Sequence, residues 1–192
     1  MEPQLTLKER IFMTIEEEIP LKEFEQWLYS QGDLLDNLND ELALAVFSFN
    51  YNQKGAHYEF NKIFVPHFDE NEFMLWKIKA NLRALIMGKE TRDRILHDFY
   101  YDLGYDDYPF LQGIGYYMFD FEEPEYSGRS LSDLSSELKS DAQELLNEIE
   151  LQEKMNPDFQ IKSFRKIESE LITSTVVSKK KWWTVLYSKL MN

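Results

Sequence analysis

Along the first half of the chain, apolar residues recur at spacings of three and four, the period that gives a helix one buried face. Leu21, Phe24, Trp27 and Leu28 follow Pro20, which a first helical turn tolerates because the missing amide has no partner there in any case. These residues predict a helix over 20–30, ended at Gly32. Asp33 can cap a second helix with the stripe Leu35, Leu38, Leu42, Ala45, Val46 and Phe49, with room for an interruption at Asn39-Asp40. Ala56, Phe60, Ile63 and Phe64 predict a third, which Pro66 should stop because its ring lacks an N–H and clashes with the preceding turn. Asn71 is placed to cap the clearest segment, with Leu75, Ile78, Leu82 and Leu85 on one side, Lys77, Asn81 and Arg83 on others, and Gly88 at its end. Ile95, Leu96, Phe99 and Leu103 predict a fifth helix, with Gly104 as a left-handed cap.

The pattern changes over 105–128, where three glycines, two prolines and many aromatic residues argue against a regular helix. This part reads as loop-rich, and 112–121 can be an extended segment or a strand. Helical spacing returns over 130–155 with Leu131, Leu134, Leu138, Ala142, Leu145 and Ile149, ended by Asn156-Pro157. Residues 158–178 stay open: Phe164, Ile167 and Leu171 fit a helix, whereas the β-branched run at 173–177 prefers a strand. The apolar stretch 182–187 fits either. The expected fold class is mainly α: one compact helical domain over 1–192, with room for a small extended or β element after residue 105.

Charge divides the chain. Its 192 residues carry 21 Lys+Arg against 35 Asp+Glu, a formal net charge of −14. Residues 1–155 hold 14 basic and 32 acidic residues, an acidic body of net −18, and the segment 156–192 holds 7 and 3, net +4. Such a body repels phosphate backbones, so direct nucleic-acid binding is not expected. The N-terminus lacks the basic region and apolar run of a secretory signal, and no stretch is long and apolar enough for a membrane span. Cytoplasmic localisation follows as an expectation. Lys179-Lys180-Lys181 before Trp182-Trp183 could meet an anionic membrane, an arrangement the acidic body opposes.

Candidate chemistry is sparse. Cysteine is absent, which removes disulfides, thiolate metal sites and thiol nucleophiles. Of the three histidines, His57 lies in a His-x-Glu match to zinc deaminases whose Cys-x-x-Cys cannot exist here. His67 with Asp69 and Glu70, or His97 with Asp98, are nominal metal ligands, but neighbouring residues on a helix point apart. Gly113-Ile114-Gly115 lacks the third glycine and the following helix of a phosphate-binding loop. The pairs Asp106-Asp107 and Glu122-Glu123 are unremarkable in so acidic a chain. No catalytic residue, metal or cofactor is assigned, and the chain is not expected to be an enzyme.

One stretch stands apart. Residues 98–126 hold 8 acidic residues, no Lys or Arg, and 11 of the 29 aromatic residues. Tyrosine offers large contact area with few rotors, and grouped carboxylates attract a basic partner. Asp106, Asp107, Tyr108, Tyr116, Tyr117, Asp120, Glu122, Glu123 and Tyr126 are the candidate partner-binding residues. The competing reading makes Phe99, Phe110 and Phe119 core and the acids their solvated neighbours.

The run 20–29, Pro-Leu-Lys-Glu-Phe-Glu-Gln-Trp-Leu-Tyr, with Glu41-Leu42-Ala43-Leu44 leading into Phe49-Asn50-Tyr51, resembles bacterial immunity-type proteins, the cytosolic partners of polymorphic or contact-dependent toxins. The run 108–116, Tyr-Pro-Phe-Leu-Gln-Gly-Ile-Gly-Tyr, is similar to an aromatic segment of such chains. The likeness touches about half the chain and implies inhibition by tight binding, without catalysis or cofactor. It carries no contact residue across, and Trp27 matches as a helix-packing position. The function expected is an immunity protein that neutralises a cognate toxin, such as a basic nuclease domain, by direct binding. The alternatives are a metal-dependent hydrolase built on histidine and carboxylate, or a regulatory interaction domain unrelated to toxins.

Overall fold

The computed structural model describes residues 6–31, 40–105 and 107–164. Expectations for Gly32, Asp33, Leu35 and Leu38, and for everything from 165 onward, lie outside the described residues. Within the helix Glu70–Met87, between Phe73 and Met74, the chain divides into two compact units. The compositional boundary at 155 falls inside the second of them.

The first unit opens with α1 (Leu7–Ile15), a helix not among those expected above although Leu7, Ile11, Phe12 and Ile15 recur at helical spacing and form its buried face. Its start is marked by a capping box: the Thr6 side chain accepts from the Glu9 amide at 3.2 Å, and the Glu9 carboxylate accepts from the Thr6 amide at 2.9 Å. Next come α2 (Leu21–Ser30), with Pro20 as N-cap, then α3 (Asp40–Ser48) and α4 (Ala56–Phe64). Pro66 falls in a 3₁₀ turn, Val65–His67, where α4 ends. The core of this unit is aromatic. Phe60 packs on Phe24 and Phe49, both with ring centroids at 5.5 Å, and on Phe64 at 4.4 Å. Buried Tyr51 donates from its hydroxyl to the Val46 carbonyl at 2.8 Å, so the ring enters the core without an orphaned polar atom.

The element α5 (Glu70–Met87) is capped by Asp69, whose carboxylate accepts from the Glu72 amide at 2.9 Å, rather than by Asn71, which lies inside the helix. In the second unit its Leu75, Ile78, Leu82 and Leu85 are buried as expected, and so is Asn81. Gly88 follows with φ +70°, the left-handed conformation of a glycine that ends a helix. After α6 (Arg92–His97) the backbone widens into a π-helical turn, Asp98–Asp102.

The segment allowed as a strand is helical instead. A 3₁₀ turn, Pro109–Leu111, runs into α7 (Gln112–Gly115), α8 (Tyr117–Glu122) and α9 (Pro124–Ser127). Among the described residues there is no strand, and the fold is mainly α. Pro109 and Pro124 open short helices rather than break them, the position where a missing amide costs least.

Ser130 caps α10 (Leu131–Met155), accepting from the Asp133 amide at 3.1 Å. Leu134, Leu138, Ala142, Leu145 and Ile149 join α5 and α6 in one core, whereas Leu131 is exposed in the first turn. Each fully buried leucine or isoleucine here contributes about 1.5–3 kcal/mol. Lys79 pairs with Glu153 at 2.7 Å and Arg83 with Glu150 at 2.6 Å, so α5 and α10 are also joined along their solvent edge. No helix among the described residues is long and apolar enough to cross a membrane.

Candidate functional site

Three fully buried residues, Ile95, Leu96 and Phe99, hold α6 and the π-helical turn onto the second unit's core. With Phe99 pointing inward, the opposite side of the same turn faces solvent. The i→i+5 bond from the Leu103 amide to the Asp98 carbonyl, 2.8 Å, marks the widened turn. Residues four and five apart share a side in such a turn, and this brings His97, Asp98 and Asp102 together.

Two glycines allow the neighbouring segments to close on this turn. A Cβ on Gly115 would lie 2.5 Å from the Tyr100 amide nitrogen and 2.8 Å from its Cα, so α7 rests its backbone directly on Tyr100. A Cβ on Gly104 would lie 2.1 Å from the Phe99 carbonyl oxygen. Close approach, not a left-handed cap, is therefore what Gly104 supplies: among the described glycines, φ is positive at Gly55, Gly88 and Gly128.

The result is a set of touching rings. Tyr100 meets Tyr101 edge-on at 4.8 Å and Phe119 at 5.1 Å. Tyr116 lies 5.4 Å from Phe119 and 6.4 Å from Tyr100, and His97 lies 4.9 Å from Tyr101. Tyr101 is 47 % exposed, and Tyr100, Tyr116 and Phe119 are part-buried. Partial burial, followed by the neighbouring hydroxyls of Tyr101 and Tyr116, raises the Tyr100 pKa. Beside the rings stand Asp98 and the exposed Asp102, whose Oδ2 is 3.7 Å from His97 Nδ1.

No family model, curated protein or solved structure matches this chain. The site is therefore read from its geometry.

Of the candidate contacts named from the sequence, Tyr116 belongs to this ring set. Asp107, Glu122 and Glu123 are exposed, with Asp107 3.9 Å from Lys162. Tyr108 and Tyr117 are corrected: they are 2 % and 8 % exposed and belong to the core, Tyr108 packing near Phe110 at 6.2 Å. Asp120 is mostly buried, 3.6 Å from Arg129, which neutralises it. Asp106 lies outside the described residues, and Tyr126 is described only as a backbone position in α9. The sequence named His97 with Asp98 only as nominal metal ligands, and Tyr100, Tyr101 and Asp102 were not among the candidate contacts. Part of the signal was available: Phe99 and Leu103, four apart on the inward side, leave Tyr100, Tyr101 and Asp102 on the rest of the turn, whereas the approach of His97 to Asp102 depends on the widened turn.

The buried Tyr117 shows how such a ring is accommodated. Its hydroxyl donates to Asp141 Oδ2 at 2.7 Å, and burial, then that bond and the nearby Asp141 and Glu137 charges, push its pKa up. Arg129, 2.5 Å from Glu137, closes the network. Burial opposes the Arg129 charge, but Asp120 and Glu137 outweigh it and raise the Arg129 pKa. For Asp141, burial and the Glu137 charge raise the pKa against the Tyr117 hydrogen bond and Arg129. The folded chain thus holds that proton more tightly than the unfolded chain, and stability falls as pH rises from the ordinary carboxylate value through the raised one. Asp141→Asn keeps an acceptor for Tyr117 and removes that loss. In urea unfolding between about pH 4 and 7, spanning the ordinary carboxylate range, the variant should gain on the parent as pH rises. A pH-independent difference contradicts this account.

The histidines are dispersed in role. His57 Nε2 lies 2.9 Å from the Thr14 carbonyl and its Nδ1 lies 3.3 Å from Glu17, while His67 packs near Phe64. Among the described residues, His97 is grouped with Asp98 and Asp102, the potential ligand atoms of the three side chains all lying within 4.8 Å of one another.

Proposed function

We propose that the chain is a non-catalytic binding protein that captures a basic protein domain on the face built from Tyr100, Tyr101, Tyr116 and Phe119 with Asp98 and Asp102. In cellular terms, it is an immunity protein neutralising a cognate bacterial toxin such as a nuclease. The observation that carries this reading is the contiguous, partly exposed ring set flanked by carboxylates, in a stretch without Lys or Arg. Aromatic anchors already packed against one another lose little side-chain freedom on binding, and their apolar area supplies affinity. A nuclease carries a basic cleft for phosphate, and carboxylates beside the rings complement it and steer the encounter.

The exposed rings and acids favour a macromolecular partner over a small substrate.

The test is co-expression with the toxin encoded beside this gene. Protection of the cells and co-purification of the two proteins are expected. Unprotected cells together with no complex between the purified proteins overturn the proposal.

A further inference from the structure

We propose that His97, Asp98 and Asp102 form a binding site for a divalent transition-metal ion of the zinc or nickel type. Their ligand atoms all lie within 4.8 Å of one another, and His97 Nδ1 is 3.7 Å from Asp102 Oδ2. Two ligands of a tetrahedral zinc, each about 2.1 Å from the ion, stand about 3.4 Å apart. The His97–Asp102 pair is thus near its bound separation, and the Asp98 carboxylate stands within 4.8 Å of both.

The donor set selects the metal class. Carboxylates alone suit magnesium and calcium, whereas an imidazole beside them favours zinc, nickel or copper. Two aspartates balance the double charge of the ion. The nominal pairing of His97 with its neighbour Asp98 lacks a third ligand in sequence, and the π-helical turn Asp98–Asp102 supplies it by bringing position 102, five residues on, beside position 97. Chelation needs no ordering of distant segments: all three ligands sit on six consecutive residues anchored from below by buried Leu96 and Phe99. The His97 ring is further restrained by contact with Tyr101 at 4.9 Å. Three protein ligands leave a coordination position open to water or to a partner's side chain.

This site does not rest on the toxin reading, because it is tested on the chain alone. Tag-free protein is titrated calorimetrically with zinc chloride near neutral pH, with magnesium and calcium in parallel. One zinc per chain at micromolar affinity is expected, with magnesium and calcium at least about tenfold weaker. His97→Ala and Asp102→Asn should each weaken zinc binding at least about tenfold, whereas His67→Ala should leave it unchanged. In parallel, the His97 imidazole resonances of the parent protein should move on zinc addition while those of His57 and His67 stay in place, a readout that does not depend on any variant folding. Zinc binding absent up to millimolar concentration, binding unaffected by His97→Ala, or unmoved His97 resonances overturn the site.

Discussion

A Tyr101→Ala variant is expected to bind the basic partner about 30-fold more weakly, the effect of losing about 2 kcal/mol at an aromatic anchor. Its stability should change by no more than about 0.5 kcal/mol, because the ring is 47 % exposed and leaves no core cavity. Tyr108→Ala should behave in the opposite way. That ring is 2 % exposed within the second unit's core, so its removal should cost about 3 kcal/mol or more of folding stability. Charge acts on a different step. Asp98→Lys with Asp102→Lys should slow association by about tenfold or more at low salt and change dissociation much less. The slowing should fade toward 1 M salt, where the Debye length is about 3 Å. Surface-plasmon-resonance kinetics at several salt concentrations separate the two contributions. An unchanged affinity for Tyr101→Ala would remove the rings from the interface, and a salt-independent association rate would remove the steering.

The second large effect concerns the glycines that let the face assemble. In Gly104→Ala the added methyl would stand 2.1 Å from the Phe99 carbonyl oxygen and 2.8 Å from Gln112 Cγ. The first neighbour is backbone, which cannot swing aside, so the π-helical turn and the segment leading into Tyr108 must separate. A loss of about 3 kcal/mol or more is expected, above the usual cost of overpacking. Gly115→Ala, 2.5 Å from the Tyr100 amide nitrogen, should follow closely and also displace the ring face itself. Gly128 provides the comparison: it has φ +67° but open space around its Cβ position, so alanine there should cost only about 1 kcal/mol through backbone strain. Urea unfolding of the three variants tests the order. A Gly104→Ala protein within about 0.5 kcal/mol of the parent would show that the close approach carries no weight.

Much of the helical framework was legible because burial and spacing agree. In α5 and α10, apolar residues three and four apart are the ones that meet in the core, and glycine or Asn-Pro marks the ends. Helix α1 was equally legible, from Leu7, Ile11, Phe12 and Ile15 at helical spacing and from the Thr6-x-x-Glu9 capping box. The region after residue 105 was misread. Proline and glycine density was taken to exclude helices, but Pro109 and Pro124 occupy first turns and Gly115 serves packing between segments. The candidate site was legible as a composition and not as a set of residues. Acidic and aromatic content singled out 98–126, but which rings face inward depends on tertiary neighbours: Asp141 draws in Tyr117, and the core around Phe110 takes Tyr108. The π-helical turn that gathers His97, Asp98 and Asp102 has no periodic signature in sequence.

The most direct measurement is an NMR amide-shift titration of the ¹⁵N-labelled chain with the purified toxin domain. The largest shifts should map to 97–105 and 116–119, the backbone that carries the ring and carboxylate face. Shifts concentrated on another surface, with these amides unmoved in a saturated complex, would contradict the account.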